Sequence, residues 1–157
     1  MDTLNADAAS DAAKIREIGP GDTEAAHEAM WALRPAYGNR ARFAEYVDEV
    51  LRPVGYRLIG SFPRDAQQAA AVAGFRVCDG LAWGRYLYVD DLSTALHARR
   101  QGHAGSLLEW LVQEGRRLGC GALHLDSGVG PERFDAHRLY QGHGLSITSH
   151  HFAIAIE

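Results

Sequence analysis

Leu92-Ser93-Thr94-Ala95-Leu96-His97-Ala98-Arg99-Arg100-Gln101-Gly102-His103-Ala104-Gly105-Ser106-Leu107-Leu108 decides how this chain folds. An apolar run over residues 81–92 ends here, a short basic loop follows, and Gly102 and Gly105 open a long segment. In that segment Ala104, Leu107, Leu108, Leu111, Val112, Gly115 and Leu118 form one stripe. The stripe has the 3.6-residue period of an amphipathic helix, so a strand passes into a helix through a glycine-spaced turn. Gly119 stands where a helix C-cap is wanted. A helix N-terminus presents unpaired amide N–H groups and the positive end of its dipole, which suits a phosphate or pyrophosphate. Glycines let the backbone approach an anion closely, and Arg99 and Arg100 add charge beside it. The plainer reading is a tight strand-to-helix turn, and this stretch alone leaves both open. It has neither the Gly-Lys-Ser/Thr of a P-loop nor a GxGxxG dinucleotide fingerprint.

Upstream, Ile15-Arg16-Glu17-Ile18 alternates as a short strand and stops at Gly19-Pro20-Gly21. Asp22 is placed to cap a helix running through Ala25, Ala29, Met30 and Leu33, which Pro35 ends. A second helix is predicted over residues 42–51, with Phe43, Tyr46, Val47 and Val50 on one side. Residues 56–61, 69–77 and 81–92 read as an antiparallel meander whose second turn is Asp79-Gly80, because an Asp-Gly pair suits the positive φ of a tight hairpin. Downstream come a short strand at 122–126, a short helix at 135–141 ended by Gly142-His143-Gly144, and a closing strand at 147–156. The order β-α-α-β-β-β-α-β-α-β predicts an α+β (mixed α/β) layered domain over residues 14–157, after a disordered leader at 1–13.

Composition bounds the function. The net charge of -4, with Lys14 the only lysine, argues against nucleic-acid binding, which needs clustered basic residues. No apolar run approaches membrane-spanning length. The opening residues carry no secretion-signal pattern. Cys78 and Cys120 show no metal-ligand spacing, and two thiols in such a chain suggest a reducing, cytoplasmic setting.

Two motifs together resemble the Gcn5-related N-acetyltransferase (GNAT) superfamily. Arg99-Arg100-Gln101-Gly102-His103-Ala104 is similar to the acyl-CoA signature Q/R-x-x-G-x-G/A, with Arg99, Gly102 and Ala104 at the defining positions. Asp135 through Leu145 resembles the N-x-x-A-x-x-L/F-Y-x-x-x-G-F segment, with a helix and a strand between the two motifs as in the family. Asp135 replaces the usual Asn, Leu145 the usual Phe, and Arg100 stands where many members have Gly. The resemblance implies a mixed central sheet of six to seven strands. Its N-terminal part would be an antiparallel meander, with parallel strands splayed in the middle and about four helices around it. It also implies acetyl-CoA as acyl donor and direct transfer of the acetyl group to an amine. The main chain of Leu92, Ser93 and Thr94 would then pair with the pantetheine arm. Arg99, Arg100, Gln101, Gly102, His103, Ala104, Gly105 and Ser106 would take the pyrophosphate, and Asp135 and Tyr140 would also lie on the cofactor side. Tyr140 would protonate the departing thiolate.

The acceptor is expected to be a small-molecule or peptide amine, and a carboxylate or histidine must take its proton. Asp90, Asp91 and Asp126 stand near strand ends, where clefts form. Asp90 and Asp126 are the choices for catalytic contact; Asp90, Asp91, His124 and His150 are the candidates for the acceptor pocket. Each has a plainer reading as a capping or solvent-facing residue. His150-His151 lie on opposite faces of a strand and do not chelate one metal together, so no metal site is assigned. Trp83, Tyr86 and Tyr88 alternate as sheet packing or as an acceptor wall. Trp31, Tyr37, Phe43 and Tyr46 come from the region that shapes acceptor choice in GNAT enzymes. The alternative functions are a non-catalytic acyl-CoA-binding module on the same fold and a small metal-dependent enzyme using the histidines. A homodimer through the apolar final strand is expected by analogy.

Overall fold

A computed structural model describes residues 12–157. Most of the expected leader lies outside the described residues. Five strands form one sheet in the order β1 (Lys14–Glu17), β2 (Arg57–Phe62), β3 (Ala71–Gly80), β4 (Gly84–Thr94) and β5 (Ala122–Leu125). The pairs β1–β2, β2–β3 and β3–β4 are antiparallel. The passage from β4 to β5 runs through the long helix α3 (His103–Arg117), the kind of crossover a parallel pair requires. The fold class is therefore the mixed α+β architecture expected, with five strands among the described residues rather than six or seven.

The missing strand is the last one. Residues 147–156 form no strand, and Ile147, Phe152, Ile154 and Ile156 stand almost fully exposed. Alternation gave this segment a strand's pattern, but a strand exists only when a neighbour supplies its ladder hydrogen bonds. The hairpin turn also differs from expectation. Asp79 and Gly80 belong to β3, Gly80 pairs with Gly84, and the turn is Leu81-Ala82-Trp83. The positive φ is taken by Gly84, at 62°.

Alternation along β2 builds a core on both faces of the sheet. Leu58 and Phe62 join Val72 and the buried residues of the first helices, among them Ala29, Met30, Phe43 and Val47. Ser61 lies on the other face, where its Oγ meets Nδ1 of His103 in α3 at 2.9 Å. Leu107, Leu108 and Leu111 are the buried stripe of that helix, as its period predicts. The first helices are shorter than expected. A 3₁₀ turn at Thr23–Ala26 precedes α1 (His27–Trp31). The helix α2 (Arg40–Tyr46) continues as a π turn over Val47–Leu51. Asn39 caps α2 by accepting the Arg42 N–H at 2.9 Å. The fourth helix, α4, spans Phe134–Gly142. The chain divides into two compact units, one ending at His124 and one from Leu125 to Glu157.

One arginine joins three elements of the first unit. Arg57 of β2 donates to both carboxylate oxygens of Glu17 in β1, at 2.8 Å each, and lies 2.9 Å from Glu114 of α3. Glu114 is 8% exposed and also holds Arg117 at 2.7 Å. Hydrogen bonds from Arg117, then Arg57, bring the Glu114 carboxyl down from 4.5 to about 2, against burial that pushes it up. A carboxylate whose pKa is depressed by folding stabilises the native state fully above its unfolded value, and that stability is lost as pH falls through the folded value. Urea midpoints should therefore fall between pH 4.5 and 2, and Glu114→Gln should flatten the slope in that window. An unchanged slope would remove Glu114 from the account of acid stability.

Candidate functional site

The turn into α3 has the backbone an anion site needs. Gly102 takes φ 86° as the residue before the helix, and no side chain caps it. The first helical hydrogen bond is Ser106 N–H to Gly102 O at 3.1 Å, so the amides of His103, Ala104 and Gly105 precede the helical ladder. Arg99, Arg100 and Gln101 are exposed beside them, and the Gln101 side chain donates to His97 O at 3.2 Å. Arg100 has φ 61°, the left-handed region that glycine enters most easily. Ser106 Oγ donates back to Gly102 O at 3.2 Å and closes the first turn. The Ser61–His103 bond anchors this helix start to the sheet, and burial lowers the His103 pKa, favouring the neutral ring. The expected residues 99–106 are thus brought together around one helix start.

Leu92, Ser93 and Thr94 form the end of β4. Ser93 is buried and its hydroxyl donates to Ala29 O at 2.6 Å, tying this end to α1. β5 has four residues against eleven in β4, so much of the β4 edge extends past it. Such an edge accepts an added extended chain.

Asp90 and Asp91 are separated by a β-bulge. Gly74 pairs with Asp91 while Phe75 pairs with Val89, so Asp90 is the extra residue. The bulge aims the two neighbouring carboxylates at different partners. Arg76 grips both oxygens of Asp90, at 2.8 and 2.7 Å. Asp91 accepts from Arg34 Nε at 2.8 Å and from the Tyr56 hydroxyl at 2.9 Å. Tyr56 is buried, and its pKa is raised well above the ordinary value, by burial first and then by the Asp91 charge. It therefore remains a donor to Asp91 at neutral pH. Asp91 lines a half-open cavity of about 170 Å³ together with Arg34, Tyr37, Phe43, Tyr46 and Tyr56.

Of the residues expected at the acceptor pocket, Asp91 is at this cavity and His124 is not. The His124 ring stacks on Trp83 at 3.9 Å and meets Tyr86 edge-on at 5.5 Å; Trp83 stands half exposed in the hairpin turn and not within the strand, where alternation placed it. Its Nε2 is buried and has no hydrogen-bond partner among the described residues. Arg34 and Tyr56 were missed. They stand 57 and 35 residues before Asp91, at the end of one predicted helix and the start of one predicted strand, and no local pattern marks them.

In the second unit, Tyr140 lies on α4 and is 8% exposed. Burial raises its pKa, while Arg133 acts in the opposite direction, so the phenol keeps its proton at neutral pH. The α4 C-terminus is closed by Leu145 N–H to Tyr140 O at 3.0 Å, with Gly144 at φ 84°. Asp135 is exposed and pairs with Arg138 at 2.7 Å. Asp126 is exposed, with His151 Nδ1 3.4 Å away, and His150 is exposed. Among the described residues no group of three or more His, Cys, Asp or Glu side chains is placed to hold a metal. No described helix is long and apolar enough to cross a membrane.

The sequence profile of the Acetyltransferase (GNAT) family matches residues 23–145, a span from the first 3₁₀ turn through the α4 cap. This chain belongs to the GNAT family. A curated relative of this GNAT protein is the "Uncharacterized N-acetyltransferase YhdJ" of Bacillus subtilis (strain 168). The two are 29% identical over 111 residues, covering 70% of this chain and 75% of the relative. Among solved structures, the aminoglycoside N-acetyltransferase AAC(6')-Iy in complex with CoA superposes with TM-score 0.75 at 16% identity, covering 93% of this chain and 95% of that one. The ribosomal-protein-alanine N-acetyltransferase from Brucella melitensis biovar Abortus 2308 gives 0.74 at 18% identity, covering 92% and 99%. Identities this low establish the shared fold. They leave the acceptor of each relative as that relative's own.

Proposed function

We propose that this GNAT protein is an N-acetyltransferase that moves an acetyl group directly from acetyl-CoA to a primary amine. The observation that carries the reading is the open helix start. Three amides at 103–105 precede the hydrogen-bonded ladder at the positive end of a fifteen-residue helix, with two exposed arginines beside them, which suits an anion. Acetyl-CoA supplies a thioester whose carbonyl is already activated. The residues around it have mainly to orient and to move protons. The α3 amides and Arg99 hold the pyrophosphate, and the free edge of β4 pairs with the pantetheine arm. Asp91 holds the amine and takes its proton, directly or through water. As the nitrogen bonds to the carbonyl carbon the C–S bond breaks, and Tyr140 gives its proton to the leaving sulfur.

The test is a thermal-shift titration with acetyl-CoA, followed by thiol release on adding amines. A ligand of the native state raises the melting temperature in step with its free concentration over its dissociation constant. A rise together with amine-dependent thiol release is the expected result. A rise without release from any amine would instead establish an acyl-CoA-binding module. No rise at millimolar ligand would overturn the cofactor assignment.

A further inference from the structure

The cavity beside Asp91 carries information about what fits in it. Its size is the first constraint. At about 170 Å³ it is close to cavities known to take a single benzene ring, on the order of 150 Å³. Its walls are the second constraint. Tyr37 and Tyr46 face each other with ring centroids 5.3 Å apart and planes tilted by 36°, and Phe43 and Tyr56 are buried behind them. Rings tilted at such distances favour a further ring edge-on or offset against them.

Charge is the third constraint. Arg34 and Asp91 are the charged residues among those that line the cavity; they are bonded to each other, and the half-exposed Arg34 is screened by water while Asp91 is not. An ammonium moved out of water requires a carboxylate and further hydrogen bonds. Asp91 already accepts two hydrogen bonds, and a carboxylate offers about four lone-pair sites. The cavity thus has room to satisfy one ammonium group, and among the described residues no second carboxylate lines it for another. Asp91 is 13% exposed while Arg34 is 49% exposed and Tyr46 40% exposed. The carboxylate therefore lies inward and part of the aromatic wall outward.

We propose that the acceptor is a primary monoamine bearing a phenyl-sized apolar group, with its nitrogen at Asp91 and its ring against Tyr37 and Tyr46. This rests on the acetyltransferase reading and narrows its substrate. Polyamines, aminoglycosides and lysine side chains of peptides are all disfavoured: the first two bring several charges, and the third brings no ring.

The experiment compares phenethylamine, spermidine, kanamycin and a lysine-containing peptide as acceptors by thiol release from acetyl-CoA. Phenethylamine should have a kcat/KM at least about tenfold above each of the others. Equal or better turnover of any other acceptor would overturn the proposal. Tyr46→Ala, at a wall residue that is 40% exposed, should raise the KM for phenethylamine about tenfold. It should leave the acetyl-CoA thermal shift unchanged. An unaltered KM would overturn the ring site. Where no amine turns over, calorimetric titration of phenethylamine into CoA-saturated protein decides: one-to-one binding lost in Tyr46→Ala supports the site, and no binding overturns it. Loss of the acetyl-CoA shift itself would instead bring down the parent reading, so the two failures are distinguishable.

Discussion

Tyr140→Phe should lower kcat about 10²- to 10³-fold and leave the acetyl-CoA-dependent rise in melting temperature unchanged. The phenol is buried, and burial lifts its pKa, so the hydroxyl is protonated across the neutral range. That is the state required of a group that hands a proton to a thiolate. Phenylalanine keeps the ring and removes only the O–H, so α4 and its C-terminal closure, which uses the Tyr140 carbonyl, remain intact. A structural tyrosine would show the reverse pattern, with the melting temperature falling and kcat holding. Turnover within about twofold of the parent would remove Tyr140 from the chemistry.

The second large effect concerns a residue with no side chain. A Cβ built on Gly74 would overlap the Tyr56 hydroxyl and the ring carbons Cζ and Cε2. The Tyr56 phenol crosses β3 at that point to reach Asp91. Gly74→Ala should therefore force Tyr56 aside, break its bond to Asp91 and cost about 3 kcal/mol in overpacking. In a chain of this size that lowers the melting temperature by about 10 °C. The cause is separable by a double-mutant cycle with Tyr56→Ala, which empties the space. In that background Gly74→Ala should cost much less than it does alone. An equal cost in both backgrounds would show that the strand, and not the clash, resists the methyl group.

What the sequence made legible was local in origin. The α3 stripe and the glycine turn before it depend on residues within four of one another, and both stand where the period placed them. The helix that carries Tyr140 was found the same way, from a contiguous stretch. Arg100 is instructive: it departs from the glycine common in the family, yet it takes the left-handed φ of 61° that glycine would supply. The hairpin turn was misplaced because Asp79-Gly80 and Leu81-Ala82-Trp83 are neighbouring candidates, and cross-strand pairing chose between them. The final segment has a strand's alternation without a strand's partner. The cavity was least visible of all. Tyr37, Phe43 and Tyr46 were recognised as belonging to an acceptor region, but Arg34 and Tyr56 meet Asp91 only through tertiary packing. In sequence Asp90 is the choice for catalytic contact, and Asp91 has a place in the acceptor pocket alone. The bulge between them gives one to Arg76 and the other to the cavity.

Arg57 has a consequence for how the molecule breathes. β1 has four residues and lies at the rim of the sheet, where amides ordinarily exchange with solvent through fraying. To fray, β1 must let go of a forked pair whose guanidinium also holds Glu114 and lies over the Phe75 ring at 4.9 Å. Lysine in its place would offer a point charge instead of a planar fork, and could not span those carboxylates together. Opening of the rim is thereby coupled to the helix whose first turn carries the exposed amides, so deuterium uptake at the two ends of this arginine's reach belongs to one cooperative event.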